Sequence, residues 1–426
     1  MTMKFCNRCL YPENHALNII FDKEGVCSGC RVHEEKYQID WATKETELDS
    51  LLSQYKNRAG SSYDCVIPVV GTGDDFFVVD LVKNKYKLNP LLVTYNTHFS
   101  TKVGVRNLAR LITELDCDHM MSTVGPDTIK EICKITLQKF GNMYWHVLAG
   151  SQTFPVQVAT KLGIPLIIWG VNGWLDQVGM FSHYDRVEMT KKVRKEHAMR
   201  CVDAEDLIGI SDKVTHKDLQ AFTYPSDTQL EKSRVRGLYI GNYVFWDSQK
   251  QIENMIKKFG YETHIQERTY NTYESIHCFN NASVHDYVKY LKFGYAKVSD
   301  HVARDIRLKR ISKSEGLTLI QKYIEVKPKA LQIFLDWIGL SEEEFISLIN
   351  PFRDPLAWEK KTDGSWYCKG NILNNKINFN SGKELQVVDP RNYKYTELLE
   401  DQTSFNEYIL LGRTYMDKRN YKAVEG

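Results

Sequence analysis

From residue 64 onward the apolar positions fall into short continuous runs that alternate with stretches of helical period. The runs at 65–70 (CVIPVV), 91–95 (LLVTY), 120–124 and 165–169 (PLIIW) are the length of strands. They are apolar on both faces, as strands buried on both sides are. A further run at 238–245 reads as another strand. Between them, 76–86, 103–115, 128–140 and 153–162 carry apolar residues three and four apart and read as helices. Alternation of this kind predicts an α/β fold, a doubly wound parallel sheet with helices on both faces. Ligands of such sheets sit beyond the C-terminal ends of the strands. From about residue 262 strands become scarce, and 284–292, 301–311, 313–323, 328–335 and 342–349 read as helices, followed after Asn350 by a polar, aromatic tail. The predicted organisation is therefore a small N-terminal module over 1–40, a polar helical connector over 41–60, an α/β domain over 60–261, and a helical C-terminal region over 262–426.

Composition narrows the function classes. The 426 residues are 42% hydrophobic and 26% charged, as in ordinary globular proteins. Lys plus Arg is 56 against 54 Asp plus Glu, a net charge of +2, which leaves no electrostatic footprint for nucleic acid. The short basic stretch 189–197 (MTKKVRKEH) reads as an exposed helix, and the 12% aromatic content as core material. No apolar run approaches the length of a membrane span, and the N-terminus has no apolar targeting core, so the expectation is a cytoplasmic protein with no membrane partner.

Four of the ten cysteines lie in the first thirty residues, as the knuckles Cys6-Asn-Arg-Cys9 and Cys27-Ser-Gly-Cys30. Two C-x-x-C pairs separated by a hairpin-like stretch (Leu17, Ile19 and Phe21 alternating, a turn at 22–25) match a tetrahedral zinc ribbon. A module this small needs the metal to fold. With all four positions taken by thiolates, the Zn²⁺ site is closed and structural. Cys65, Cys117, Cys133, Cys201, Cys278 and Cys368 stand singly, mostly beside apolar residues, and read as small core hydrophobes.

The most informative stretch follows the first strand: Val69-Val70-Gly71-Thr72-Gly73-Asp74-Asp75-Phe76. A Gly-rich turn from strand to helix presents backbone N–H groups and the positive helix end to an anion. It matches neither the Walker loop nor the dinucleotide fingerprint. A purely structural tight turn is the competing reading.

This loop, the ribbon before it, and the segments LNPLLVTYN, FPVQVATKLGIPLIIWG and KFGYAKVSDHVARDIRLKRIS together resemble the N-acetyl sugar amidotransferases of the pyrophosphatase-loop ATP-dependent superfamily. The resemblance runs from Phe5 to about residue 325. It implies an AMP-forming carbon–nitrogen ligase that uses ATP and Mg²⁺ to convert the acetamido group of a sugar precursor into an acetamidino group. The products would serve lipopolysaccharide O-antigen, other cell-surface polysaccharide or flagellin glycan. It also implies a glutaminase subunit of the glutamine amidotransferase type supplying ammonia, in some assemblies with a synthase-like barrel subunit.

Residue by residue, the resemblance implies catalytic roles for Asp74 and Asp75 and nucleotide contacts from Gly71, Thr72, Gly73, Thr94, Asn96, Gly170 and Asn172. Substrate contacts would come from His98, Lys297, Arg304 and Arg307. Against the superfamily loop S-G-G-x-D-S, one register aligns Gly73 and Asp75 and puts Gly71, Thr72 and Phe76 at departures; a register one residue earlier pairs Gly71 and Asp74 instead. The bland reading of the block 294–312 is a salt-bridged, solvated helix face. Two alternatives remain: a tRNA-thiolating enzyme of the same superfamily, and a subunit whose altered loop no longer turns over ATP and which scaffolds a complex.

Overall fold

The structure is a computed structural model that describes residues 3–57 and 62–374. Within the N-terminal module, the first knuckle is closed by Cys6 N–H on the Tyr11 carbonyl (2.7 Å). A bridge between Phe21 and Cys27 and a turn with Gly25 at φ +70° form the expected hairpin. The second knuckle opens helix α1 (Ser28–Glu35), with Cys27 at its N-cap. The polar connector is helix α2 (Trp41–Ser53), started by the Asp40 carboxylate accepting from the N–H groups of Ala42 and Thr43.

The α/β part runs β1 (Cys65–Pro68), α3 (Gly73–Asp80, continued by a π-turn to Lys85), β2 (Pro90–Tyr95), α4 (Lys102–Glu114), β3 (His119–Ser122), α5 (Pro126–Phe140), α6 (Trp145–Leu162) and β4 (Leu166–Trp169). Three short helices follow, α7 (Gly173–Asp176), α8 (Lys191–Val193) and α9 (Asp227–Ser233), then β5 (Arg236–Tyr239) and α10 (Ser248–Phe259). The five strands form one parallel sheet in the order β3-β2-β1-β4-β5. Successive strand residues face opposite layers: Ile67 and Leu92 pack with α3, α4 and α10, while Val66, Leu91 and Ile167 pack with α6. The chain leaves β1 toward β2 and later leaves β4 toward β5. The loops after β1 and β4 therefore diverge and open a crevice at this topological switch point.

Several boundaries differ from the sequence reading. Helix α6 begins at Trp145 and carries Pro155 inside it, although a proline there reads as a helix start. The fifth strand is only four residues long and gives way to a 3₁₀ turn, after which α10 was missed. The signals for α10 are in the chain: Asp247 caps its start and Gly260, at φ +67°, ends it. The stretch 189–197 is a short helix plus a π-turn, not a wholly exposed basic helix, since Arg194 is buried against Asp203 (2.6 Å). Of the single cysteines, Cys65, Cys133, Cys278 and Cys368 are buried and Cys117 partly so, whereas Cys201 is exposed.

The C-terminal part contains α11 (Phe279–Phe293), α12 (Lys297–Arg307), α13 (Lys313–Tyr323), α14 (Ala330–Ile338) and α15 (Glu342–Ile349). Beyond Asn350 the expected plain tail instead holds an antiparallel hairpin, β6 (Trp358–Lys360) with β7 (Trp366–Cys368). The remainder of the expected region, 375–426, lies outside the described residues. The largest core joins α5, α6 and α11 to α15, and takes in Met3 and Leu10 from the N-terminal module. No helix among the described residues is long and apolar enough to cross a membrane.

Candidate functional site

The four ribbon thiols are buried, and their sulfurs lie within 4.8 Å of one another. Cys6 and Cys30 are 3.9 Å apart and Cys9 and Cys27 3.5 Å apart. Tetrahedral bonds of about 2.3 Å put ligand sulfurs roughly 3.8 Å apart, so these residues fit a closed four-sulfur metal site. The site is not free-standing. Ser28 Oγ donates to the Val178 carbonyl (2.5 Å), and a Cβ on Gly29 would fall 2.4 Å from both Arg307 and the Gln177 carbonyl. Arg307 Nη2 lies 3.5 Å from Cys9 Sγ and 3.4 Å from Cys27 Sγ, placing a cation beside thiolates whose charge one divalent ion only partly neutralises. About one zinc per chain is expected in the purified protein, lost in Cys9→Ser and Cys27→Ser; metal analysis by mass spectrometry checks this.

The loop after β1 is organised by its second aspartate. Asp75 Oδ2 accepts from the backbone N–H groups of Val70 (2.8 Å), Gly71 (2.9 Å) and Thr72 (2.8 Å), and Thr72 Oγ1 accepts from Asp75 N–H (3.2 Å). That is a capping box at the start of α3. The N–H groups expected to cradle a phosphate are thus held by the protein's own carboxylate. Gly71 sits at φ +86°, where a Cβ would fall 2.6 Å from the Leu108 backbone nitrogen, and a Cβ on Gly73 would meet Ile252 at 2.5 Å. Both glycines are required by packing.

Asp74 points the other way. Its Oδ2 takes a bond from Ser248 Oγ (3.3 Å), while Oδ1 is buried with no partner. Burial, reinforced by the nearby Glu274 charge, pushes its carboxyl up to about 8. Asp74 and Thr72 form the floor of a cavity of about 260 Å³ at the switch point. Val171, Gly173 and Asp176, just after β4, line one side, and Tyr11 reaches in from the ribbon. The opposite wall is one face of α12, carrying Lys297, Asp300, His301, Arg304 and Arg307 at spacings of three and four. That helix is not a solvated face: His301 and Arg307 are each 2% exposed.

Its charges are paired with care. Arg304 pairs with Glu274, whose other oxygen is 3.2 Å from His301 Nε2, and His301 Nδ1 meets Thr269 Oγ1 at 2.6 Å. Burial alone would raise Glu274; Arg304 and His301 outweigh it and keep the carboxyl below its usual range. Arg304 Nη2 remains buried and unpartnered. Asp300 is held by Lys289 (2.5 Å) and His15 (3.5 Å), and Asp176 by Lys36 (2.5 Å). Lys297, half-buried at the first turn of α12, has its ammonium lowered chiefly by burial.

The structure therefore gathers Thr72, Asp74, Lys297 and Arg304 around one cavity and sets others apart. Arg307 lines it too, with Nη1 on the carbonyls of Gln177 (2.6 Å) and Asp176 (3.2 Å), Nη2 beside two thiols, and Nε buried without a partner. Thr94 and Asn96 border a separate narrow cleft of about 20 Å³ beside Val70. Thr94 Oγ1 donates to the Val69 carbonyl (2.6 Å). Asn172 caps α7 by accepting from Trp174 N–H (3.0 Å), the turn role, while its amide nitrogen is buried without a partner. Gly170 approaches Trp246, whose ring would lie 3.3 Å from a Cβ there. His98 lines neither space; it is buried at φ +67°. Sequence reasoning missed Glu274 and Ser248, which sit in stretches without a recognisable motif, and Tyr11, hidden beside the first knuckle.

Comparison with known proteins matches one segment of the chain to a described family. Residues 253–371, the stretch containing Glu274 and α12, match the family described as LPS biosynthesis protein WbpG-like, C-terminal domain. This bears out, over that segment, the resemblance read from the sequence. A 116-residue stretch is 24% identical to an uncharacterized protein of Methanocaldococcus jannaschii, covering 27% of this chain and 41% of that protein, so the match spans less than half of the relative. Among solved structures, the NMN synthetase of Francisella tularensis is similar at 14% identity and TM-score 0.27, covering 52% of this chain and 96% of that one. The NH3-dependent NAD synthetase of Campylobacter jejuni, in complex with the nitrate ion, has the same identity and coverages and a TM-score of 0.26.

Proposed function

We propose, from the premise that residues 253–371 form a WbpG-like C-terminal domain of LPS biosynthesis proteins, that the chain is an ATP-dependent amidotransferase acting on an N-acetylated sugar precursor of lipopolysaccharide. The observation that carries this reading is the switch-point cavity. A buried carboxylate with an unpartnered oxygen, Asp74, lines it together with Arg304, one of whose nitrogens is also unpartnered, and Lys297. An amide carbonyl is a poor electrophile, because its nitrogen donates into it. Transfer of AMP to the carbonyl oxygen, with release of pyrophosphate, converts that oxygen into a leaving group; ammonia then adds to the carbon and AMP departs, leaving the amidine. Bound ATP with Mg²⁺ would supply the activated phosphoryl group.

Asp74 would hold the cation, since its free oxygen and raised proton affinity both answer to a positive charge. Arg304 and Lys297 would neutralise phosphate oxygens. Asp75 shapes the loop without touching ligand. Zinc is the metal the four thiols suit, ammonia would come from a glutaminase partner, and the cytoplasm is where ATP and sugar precursors meet.

The occupied N–H groups of residues 70–72 favour one second reading, a scaffold subunit that no longer turns over ATP. Release of pyrophosphate and AMP by the purified chain, given ammonium salt and a panel of N-acetylated sugars and sugar nucleotides, separates the two. Sugar-dependent release that disappears in Asp74→Asn is the expected result. No release together with no detectable ATP binding would overturn the enzyme and leave the scaffold.

A further inference from the structure

A second cavity, of about 250 Å³, lies beside the start of α12, and Lys297 lines both it and the switch-point cavity. No motif pointed to it. Its walls come from the segment before α11 and from the first turns of α11. Phe279 and His264 are stacked there with centroids 4.6 Å apart and planes at 17°, giving an aromatic surface. Asn280 adds a side-chain carbonyl oxygen that is buried and without a partner.

The charges of this cavity are unequal in availability. Asp286 is engaged by Arg268 Nε (2.7 Å) and by the backbone N–H of Lys297 (2.5 Å), with Lys289 3.7 Å away. Glu267 accepts from the Lys329 backbone N–H (2.9 Å), with the Lys329 ammonium at 3.9 Å. The acids are thus already satisfied, whereas Lys297, which lines both cavities, makes no side-chain ion pair with Asp286 among the described residues and feels the Glu274 and Asp286 charges without direct contact.

We propose that this second cavity is the acceptor's own binding site, holding the part of the sugar substrate that does not react. It takes an acceptor bearing an anionic group, phosphate or carboxylate, with that group on Lys297 and the sugar ring against Phe279. The acetamido arm then reaches past Lys297 toward Asp74 and Arg304. This assignment rests on the amidotransferase reading. It adds that ATP and acceptor enter by different cavities and that Lys297 senses both. Burial of the Lys297 ammonium favours a ligand that brings a compensating negative charge.

The test measures binding to the full metal-loaded chain, by calorimetry, of N-acetylglucosamine, N-acetylglucosamine 1-phosphate and N-acetylmuramic acid, and separately of ATP. At least one anionic sugar is expected to bind tenfold or more tightly than the neutral one, and the phosphate and carboxylate probes tell which anion the site takes. Lys297→Met is expected to erase that preference. Phe279→Ala and Asn280→Ala are expected to weaken the anionic sugar about tenfold while leaving ATP affinity unchanged, which also shows that the variants fold. No preference for an anionic sugar, or binding indifferent to Phe279→Ala and Asn280→Ala, overturns the site. ATP binding that is absent while the anionic sugar retains its dependence on Phe279 overturns the enzyme reading and leaves the site standing.

Discussion

Asp75→Ala is expected to lower the stability of the chain by about 3 kcal/mol and, on the amidotransferase reading, to abolish nucleotide binding with it. The carboxylate receives three backbone N–H groups from consecutive residues, Val70, Gly71 and Thr72, and its own N–H returns a bond to Thr72. Truncation leaves three donors to find water or stay unpaired, at about 1–3 kcal/mol for each that stays dry. Water entering the space of the lost carboxylate recovers part of that, which sets the expectation near the lower end of the sum. Urea denaturation and ATP binding, measured side by side, check it, and Asp75→Asn, which keeps one acceptor, should fall between. Unchanged stability with lost ATP dependence would mean that Asp75 is a ligand to the cation and not the brace of the loop.

The neighbouring Asp74→Asn is expected to do the reverse, stabilising the ligand-free protein while removing cation-dependent nucleotide binding. Burial and the Glu274 charge hold the Asp74 proton to a pH of about 8 in the native state, against 3.8 for the free group. Arg304 and the Ser248 hydroxyl pull in the opposite direction without prevailing, and Asp75 adds to the upward push. Between those two pH values the unfolded chain has released this proton and the native chain has not. The contribution of Asp74 to stability therefore falls as pH rises through that window, by up to about 1.4 kcal/mol per pH unit. Thermal unfolding of magnesium-free protein at pH 5.5 to 8 should accordingly show wild type losing stability relative to Asp74→Asn as pH increases. Parallel curves would remove Asp74 as the buried acid of the cavity.

The parts of this molecule that were readable in the chain are those fixed by local chemistry. The thiol knuckles announce themselves through ligand type and spacing, and the sheet through short runs apolar on both faces. Helix α15 has the bounds its sequence pattern predicts, 342–349, and in the structure Ser341 and Glu344 form a capping box at its start. The division of labour between the two aspartates was not readable, because it depends on which way each carboxylate leaves the first turn of α3. Likewise the sequence leaves the charges on α12 open between a solvated face and phosphate contacts, and only the fold shows Glu274 and the ribbon thiols covering them. Arg307 shows the limit most plainly: a guanidinium on a helix is equally suited to phosphate and thiolate, and only the fold chooses.

That choice also dates the assembly of the cavity. The thiols of Cys9 and Cys27 and the guanidinium of Arg307 are 298 and 280 residues apart in the chain. At synthesis rates of roughly 5–20 residues per second, the knuckles leave the ribosome some 15 to 60 s before the helix that completes them. During that interval the ribbon has only its hairpin and whatever ion its four thiols take up, with Leu10 and Tyr11 still lacking the helices that later bury them. A nascent chain whose thiols take up no ion at this stage would expose apolar surface early, and deliver α12 to a wall that is not there.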